Sequence, residues 1–198
     1  MIDPVPDSSN RLAFLVGRIL HPYFLPTPTL FILLRDRPWQ EIIGWIAWVT
    51  LTVLLPSMSL AAILRSRGHA LYERKTRQPL YLFGWLMVLI CLASLIVLDA
   101  PLVLITCLVT LALWAPLQGG INSLVTKLSA HAAVASGCIT GLALAGNLPS
   151  PLLYVGLVAL LGLIMWARIA TRNHTLTQVL LGALVGALPV LIIFPLML

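Results

Sequence analysis

Long apolar runs with almost no charge constrain this chain more than any other feature of its sequence. Of its 198 residues, 60% are hydrophobic and only 9% are charged, and the mean hydropathy is +1.03. A soluble domain of this size has far more charged surface, so the composition predicts an integral membrane protein. Crossing the hydrocarbon core of a bilayer takes about 20 apolar residues as a helix. The runs have that length and lack the two-residue alternation of a membrane barrel, so the predicted fold is all-α.

Polar residues and prolines divide these runs into a predicted bundle of six to seven transmembrane helices, which forms one domain over residues 1–198. The predicted apolar segments are residues 11–34, 42–64, 80–98, 101–117, 121–145, 152–167 and 179–198. Residues 1–40 are expected to form an N-terminal tail and a first helix that is kinked by its prolines. Residues 41–198 are expected to form the core. The Gln-Gly-Gly sequence at 118–120 is expected to end the fourth segment.

The few polar side chains are concentrated near the ends of the apolar segments, where ionisable residues usually mark function. The longest polar stretch, residues 65–79, contains five of the twelve basic side chains. Two crossings separate it from a second polar group at 127–131, and two more crossings separate that group from a third at 168–178. All three groups are therefore predicted on one face of the membrane. The positive-inside rule makes this face cytoplasmic.

The third polar group resembles a signature of the type 2 phosphatidic acid phosphatase superfamily, whose members are membrane lipid-phosphate phosphatases. The signature is S-R-x5-H-x3-D. In this chain, Ala167 and Arg168 are followed after five residues by His174, and after three more by Gln178. The spacing is that of the family, but an amide replaces the final carboxylate. Glycines follow in an apolar helix, as in the family pattern.

Two further signatures of this superfamily have partial counterparts in the chain. The second signature, P-S-G-H, corresponds to L-S-A-H at 128–131, which retains the serine and the histidine. The first signature, K-x6-R-P, corresponds to Arg74, Lys75 and Arg77, which precede Pro79 without the upstream lysine of the family. The order and spacing of the three matches are more specific than any one motif.

The resemblance extends over about residues 40–198 and implies hydrolysis of a lipid or isoprenoid phosphate, either a monoester or a diphosphate. It implies that His174 attacks phosphorus, and that His131 protonates the leaving alkoxide and then activates water. Gln178 would orient the nucleophile without a negative charge, so a weak or specialised phosphatase is expected. The residues expected to bind the phosphate are Arg74, Lys75, Arg77, Lys127, Ser129 and Arg168.

No metal or other cofactor is expected, because the implied chemistry needs none and the sequence has no carboxylate cluster. The expected partners are the phosphorylated substrate and the lipids of a bacterial inner or plasma membrane. Nucleic acid is not expected, since the net charge of +6 lies at the membrane face. A second class stays open, namely an inactive accessory subunit of a larger membrane complex, which binds a lipid or a pigment. In that case His131 and His174 would serve as bonded interior residues or as pigment ligands.

Overall fold

The computed structural model describes residues 9–69, 78–146, 148 and 150–198, and the secondary structure of these residues is helical. The helices are α1 (Arg11–Ile19), α2 (Pro26–Leu33), α3 (Trp39–Val49), α4 (Leu55–Ser66), α5 (Gln78–Val97), α6 (Leu102–Leu124), α7 (Ala130–Leu144), α8 (Pro151–Ala170) and α9 (Leu176–Met197). A π-helical turn, Thr50–Leu54, joins α3 and α4 into one continuous rod.

Five helical segments are long and apolar enough to cross a membrane. They are Trp39–Ser66, Gln78–Val97, Leu102–Leu124, Pro151–Ala170 and Leu176–Met197. α7 is also apolar but has only 15 residues. The prediction of an all-α integral membrane protein is therefore confirmed for the described residues.

The N-terminal region differs from the expected kinked helix over residues 11–34, because two separate short helices occupy it. α1 begins at an N-cap, where the side chain of Asn10 accepts a hydrogen bond from the backbone N–H of Ala13 at 3.1 Å. α2 begins at Pro26, a residue whose fixed φ favours the first helical position. Residues 20–25 between the two helices turn the chain, so neither helix has the length of a membrane span.

The prediction that 118–120 end a helix is wrong, since α6 continues to Leu124. Pro116 has no N–H, so it leaves the carbonyl of Ala112 without its helical donor. The indole Nε1–H of Trp85 in α5 donates to that carbonyl at 2.9 Å. Gly119 faces the side chain of Tyr81 in α5, and this packing supports the helix where its own propensity is weak.

The π-helical turn lies just before a proline and has the same physical origin. Pro56 in α4 cannot donate to the carbonyl four residues before it, and its ring would crowd that carbonyl in a regular α-helix. The wider turn over Thr50–Leu54 removes this conflict and lets the rod continue. Beyond it, Ser57 is buried beside Gly84 of α5.

Large aliphatic side chains fill the first half of the bundle, and we refer to this cluster as the aliphatic core. Its fully buried members include Leu34, Cys91, Leu95, Leu104 and Leu108, which come from the end of α2, from α5 and from α6. Val49 and Val53 of the α3–α4 rod complete it.

The second half of the bundle is built on a close, parallel contact between α7 and α9. A methyl group on Gly182 would lie 2.7 Å from the carbonyl oxygen of Ser129, and one on Gly186 would overlap the carbonyl of Ala133. Farther along, Gly141 lies against Phe194. These pairs keep the same sequence offset, so α7 and α9 run side by side in the same direction with their backbones nearly touching.

The two ends of the bundle differ in charge. At one end, the turn between α5 and α6 and the start of α3 surround an open cavity of about 420 Å³, which Arg37, Glu41 and Asp99 line. The other end contains the starts of α7 and α9 and the ends of α6 and α8. This second end holds the polar groups that the sequence singled out.

Candidate functional site

The candidate site lies where α7 and α9 begin. The backbone N–H of Ser129, at the start of α7, donates to the carbonyl of Gln178 in the first turn of α9 at 3.3 Å. The backbone N–H of His174 donates to the carbonyl of Arg168 in the last turn of α8 at 3.2 Å. These two bonds bring the second and third polar groups of the sequence to the same end of the bundle.

A tight turn positions His174 above the end of α8. Arg172 adopts a left-handed backbone conformation, with φ 51°, and reverses the chain there. The N–H groups of Asn173 and His174 both donate to the carbonyl of Arg168, at 3.1 and 3.2 Å. The His174 side chain is consequently held inside the protein and is only 3% exposed.

Gln178 fixes the imidazole of His174 through an oxygen. Its Oε1 accepts the backbone N–H of Thr175 at 3.2 Å, while the Thr175 hydroxyl accepts the N–H of Gln178 at 3.4 Å, which is a capping box. The same Oε1 lies 3.2 Å from Nδ1 of His174. Because a backbone N–H can only donate, the amide atom there is the oxygen, and Nδ1 of His174 is the protonated nitrogen. The lone pair of this imidazole therefore lies on Nε2.

Ser129 and Lys127 are buried in the segment that leads into α7, where the Ser129 backbone meets Gln178. Ser129 is 0% exposed and Lys127 is 1% exposed. Ser129 is the N-cap of α7, since its hydroxyl oxygen accepts the N–H of Ala132 at 3.4 Å and keeps its own proton for donation. The start of a helix presents a partial positive charge, and Lys127 adds an amine that can carry a proton. This end of the bundle is therefore suited to an anion.

His131 faces the N-terminal segment of the chain. Its Nε2 lies 3.1 Å from the carbonyl oxygen of Gly17 in α1, so this nitrogen is the donor. The ring of His21 lies edge-on to the His131 ring, with centroids 5.2 Å apart. Arg168 approaches the same helix, because a methyl group on Gly17 would lie 3.3 Å from its Nη1.

The turn after α1 is therefore part of the candidate site, although no sequence pattern assigned His21 a role beyond its polarity. Burial lowers the pKa of His21 below its ordinary value, and the charges of Arg168 and Arg65 lower it further. A neutral His21 packed on His131 is the consequence at neutral pH. The sequence did contain one signal for the packing of this region, namely the amphipathic pattern of α1. In the structure, Ala13 is the buried residue of this helix, and its leucines are exposed.

The predicted site residues are thus brought together in large part. Arg168 and His174 lie within electrostatic range of His131. Gln178 contacts both His174 and Ser129. The remaining predicted phosphate ligands, Arg74, Lys75 and Arg77, lie outside the described residues.

Metal-binding potential is low in the part of the chain that the structure describes. No group of three or more His, Cys, Asp or Glu side chains there is arranged to hold a metal ion. The candidate site itself offers His21, His131 and His174 at an end of the bundle that is rich in basic residues.

Comparison of the chain with protein-family models, with curated proteins and with solved structures found no match. The fold and the site define an all-helical integral membrane protein with a buried, cationic, histidine-containing site at one end of its bundle.

Proposed function

We propose that this protein is a membrane phosphatase of the type 2 phosphatidic acid phosphatase kind, which hydrolyses a lipid or isoprenoid phosphate through a histidine nucleophile. The observation that supports it most directly is the pair His174 and Gln178, whose hydrogen bond places the proton on Nδ1 and the lone pair on Nε2 of His174. Arg168, Lys127 and Ser129 lie at the same end of the bundle and offer the donors and charges that a phosphate needs.

The reaction has two steps. Nε2 of His174 attacks phosphorus, the bond from phosphorus to the ester oxygen breaks, and His131 donates a proton to the departing alkoxide. His131 then takes a proton from water, whose oxygen attacks the phosphohistidine and releases inorganic phosphate and the free imidazole. Each step passes through a transition state with charge on three equatorial oxygens, which the cationic side chains stabilise.

Gln178 has an orienting role in this proposal. Its oxygen holds the Nδ1–H of His174 and so selects the tautomer that attack requires. The aspartate of the family supplies a negative charge that stabilises the imidazolium-like intermediate, and Gln178 supplies none. A slow enzyme, or one specialised for a reactive substrate, is the result that this substitution favours.

The hydrogen bond from His131 to Gly17 occupies the nitrogen that the leaving group needs. In the proposed cycle, substrate binding shifts α1 enough for Nε2 of His131 to exchange the Gly17 carbonyl for the ester oxygen. α7 would provide a sixth crossing, and the site would face the cytoplasm of a bacterial cell, in keeping with the basic residues at this end.

The proposal is tested by phosphate release from purified protein with phosphatidic acid, phosphatidylglycerophosphate and farnesyl diphosphate. His174→Ala should abolish turnover, whereas His69→Ala, which changes an exposed histidine, should retain it. Turnover that survives in the His174 variant overturns the mechanism. A folded wild-type protein with no turnover on any substrate overturns the phosphatase and favours an accessory subunit of a membrane complex, which co-purification would then identify.

A further inference from the structure

A row of polar side chains runs along α6, a helix that lies mostly among apolar neighbours. The row consists of Thr106, Thr110, Trp114, Gln118 and Asn122, each four residues after the one before it. Residues at this spacing follow one ridge of a helix. All but Trp114 are buried, and Thr106, Gln118 and Asn122 are 0% exposed.

The two halves of this row differ in how their polar atoms are satisfied. The hydroxyl of Thr106 donates to the carbonyl of Leu102 at 2.8 Å, and that of Thr110 donates to the carbonyl of Thr106 at 2.7 Å. Farther along, Nε1 of Trp114 and both amide atoms of Gln118 are buried without a hydrogen-bond partner among the described residues. Such groups are costly inside a bilayer and normally have a partner, so those of Trp114 and Gln118 call for one that the described residues do not supply.

We place the unpaired groups on the side of α6 that faces α9. Gly119 faces Tyr81 of α5, and one step along a helix turns the direction by about 100°, so Gln118 points away from α5. Among the described helices, α6 packs mainly against α5 and α9. Gln118 is six residues from the end of α6, which corresponds to about 9 Å along the helix. It therefore lies between α6 and α9, one layer deeper than the histidine site at the start of α9.

We propose that Trp114 and Gln118 form a hydrogen-bonding subsite for the glycerol ester region of a lipid whose phosphate occupies the histidine site. The inference rests on the proposed phosphatase function and narrows its substrate class to acylglycerol phosphates. The indole N–H and the amide NH2 are donors that match ester carbonyl oxygens, and the amide oxygen matches a free hydroxyl. An isoprenyl phosphate has no polar group beyond its phosphate, so it would leave all three atoms buried and unpaired.

Turnover of two substrates by variants of the full-length protein tests this subsite. Gln118→Leu and Trp114→Phe remove the polar groups with little change in volume. Each should lower kcat/KM for phosphatidic acid about tenfold, the effect of 1.4 kcal/mol of lost binding, and change kcat/KM for farnesyl phosphate less than about twofold. Thr110→Val is the matched control, because its hydroxyl is already bonded within α6, and it should leave the ratio of the two substrates unchanged.

Equal losses on both substrates, or no loss on either, would overturn the subsite while leaving the phosphatase intact. If the wild-type protein has no turnover, a measurement of lipid binding tests the subsite separately from the phosphatase. Phosphatidic acid should then still raise the melting temperature of the wild-type protein more than farnesyl phosphate does, and Gln118→Leu should remove that difference. Equal melting temperatures of the wild-type protein with both lipids would mean that Trp114 and Gln118 bind only water. The subsite would then be rejected.

Discussion

The α7–α9 contact and the aliphatic core hold the same bundle together by opposite means. In the aliphatic core, large side chains such as those of Leu95 and Leu104 fill the space between the helices. At the α7–α9 contact, glycines let the backbones meet, and the hydroxyl of Ser136 bridges the carbonyls of Ala133 and Ala183 at 3.0 and 2.7 Å.

The difference shows why the polar site lies on the second contact. Backbones that touch can move very little relative to each other, so the side chains that start these helices keep their positions. A leucine-filled interface adapts by changing rotamers and tolerates similar volumes. Lipid tails are as apolar as leucine, so specificity between helices in a membrane comes from close packing and polar bonds.

The largest expected effect comes from adding one methyl group to the α7–α9 contact. Gly186→Ala places a Cβ within the carbonyl of Ala133, and we expect a loss of more than about 4 kcal/mol or failure to assemble. Gly156→Ala in α8 is the matched control, because nothing lies near its Cβ. Size-exclusion profiles and melting curves in detergent compare the two. Two normal profiles would contradict the claim that this contact is rigid.

Substitutions of Gln178 test how the residues at the start of α9 contribute to activity. Gln178→Leu removes the acceptor for Nδ1–H of His174 and should lower kcat by about 10²- to 10⁴-fold, because the imidazole loses its orientation and tautomer. Gln178→Asp restores a carboxylate and should leave kcat unchanged or raise it. Steady-state phosphate release measures both variants. A fully active Gln178→Leu protein would show that the amide has only its capping role.

A cavity in the aliphatic core should cost stability without touching the site. Leu95→Ala should destabilise the protein by about 2 kcal/mol, near the lower end for such truncations, because the alternative environment is lipid and not water. The measurement is denaturation in mixed micelles, with substrate preference as a second readout. A change in substrate preference would show that the aliphatic core and the candidate site are coupled, although we describe them as independent.

The smallest expected effect is a pH dependence of the α1 contact. The folded-state pKa of His21 is lowered, so the neutral form contributes stability that is present above its ordinary pKa of 6.5 and is lost as the pH falls through the lowered value. The protection of residues 11–25 against hydrogen exchange, corrected for the intrinsic pH dependence of amide exchange, should therefore fall at acid pH. His21→Gln should flatten this dependence. An unchanged slope in that variant would assign the effect to another group.

The sequence predicted the long spans well because their signal is local. The segment predicted as 80–98 is Gln78–Val97, and that predicted as 179–198 is Leu176–Met197. The failure at Gly119 has a nonlocal cause, since Trp85 and Tyr81 of α5 support α6 there. No pattern within α6 itself indicates that support.

The candidate site was also predicted where its signal is local in the sequence and missed where its contacts are nonlocal. The spacing from Arg168 through His174 to Gln178 is local, and the expected contact between His174 and Gln178 is present. The approach of Gly17 to His131 joins residues 114 positions apart and had no counterpart in the sequence pattern. The pair Trp114 and Gln118 was missed for a related reason, because the expected end of the helix at 118–120 placed the glutamine in a loop.

The π-helical turn gives the α3–α4 rod a phase shift. One turn with an extra residue rotates everything after it by about 100° relative to a regular helix, so the two halves present faces that their sequences alone do not align. Trp48 before the turn and Ser57 after it both face α5, the first donating to Ser94 at 2.9 Å. Deleting one residue within Thr50–Leu54 would remove the extra residue together with the π-helical turn that absorbs it, so Ser57 would still face Gly84. The π-helical turn therefore lets the rod hold one more residue while the same side of α4 faces the protein and the same side faces the lipid.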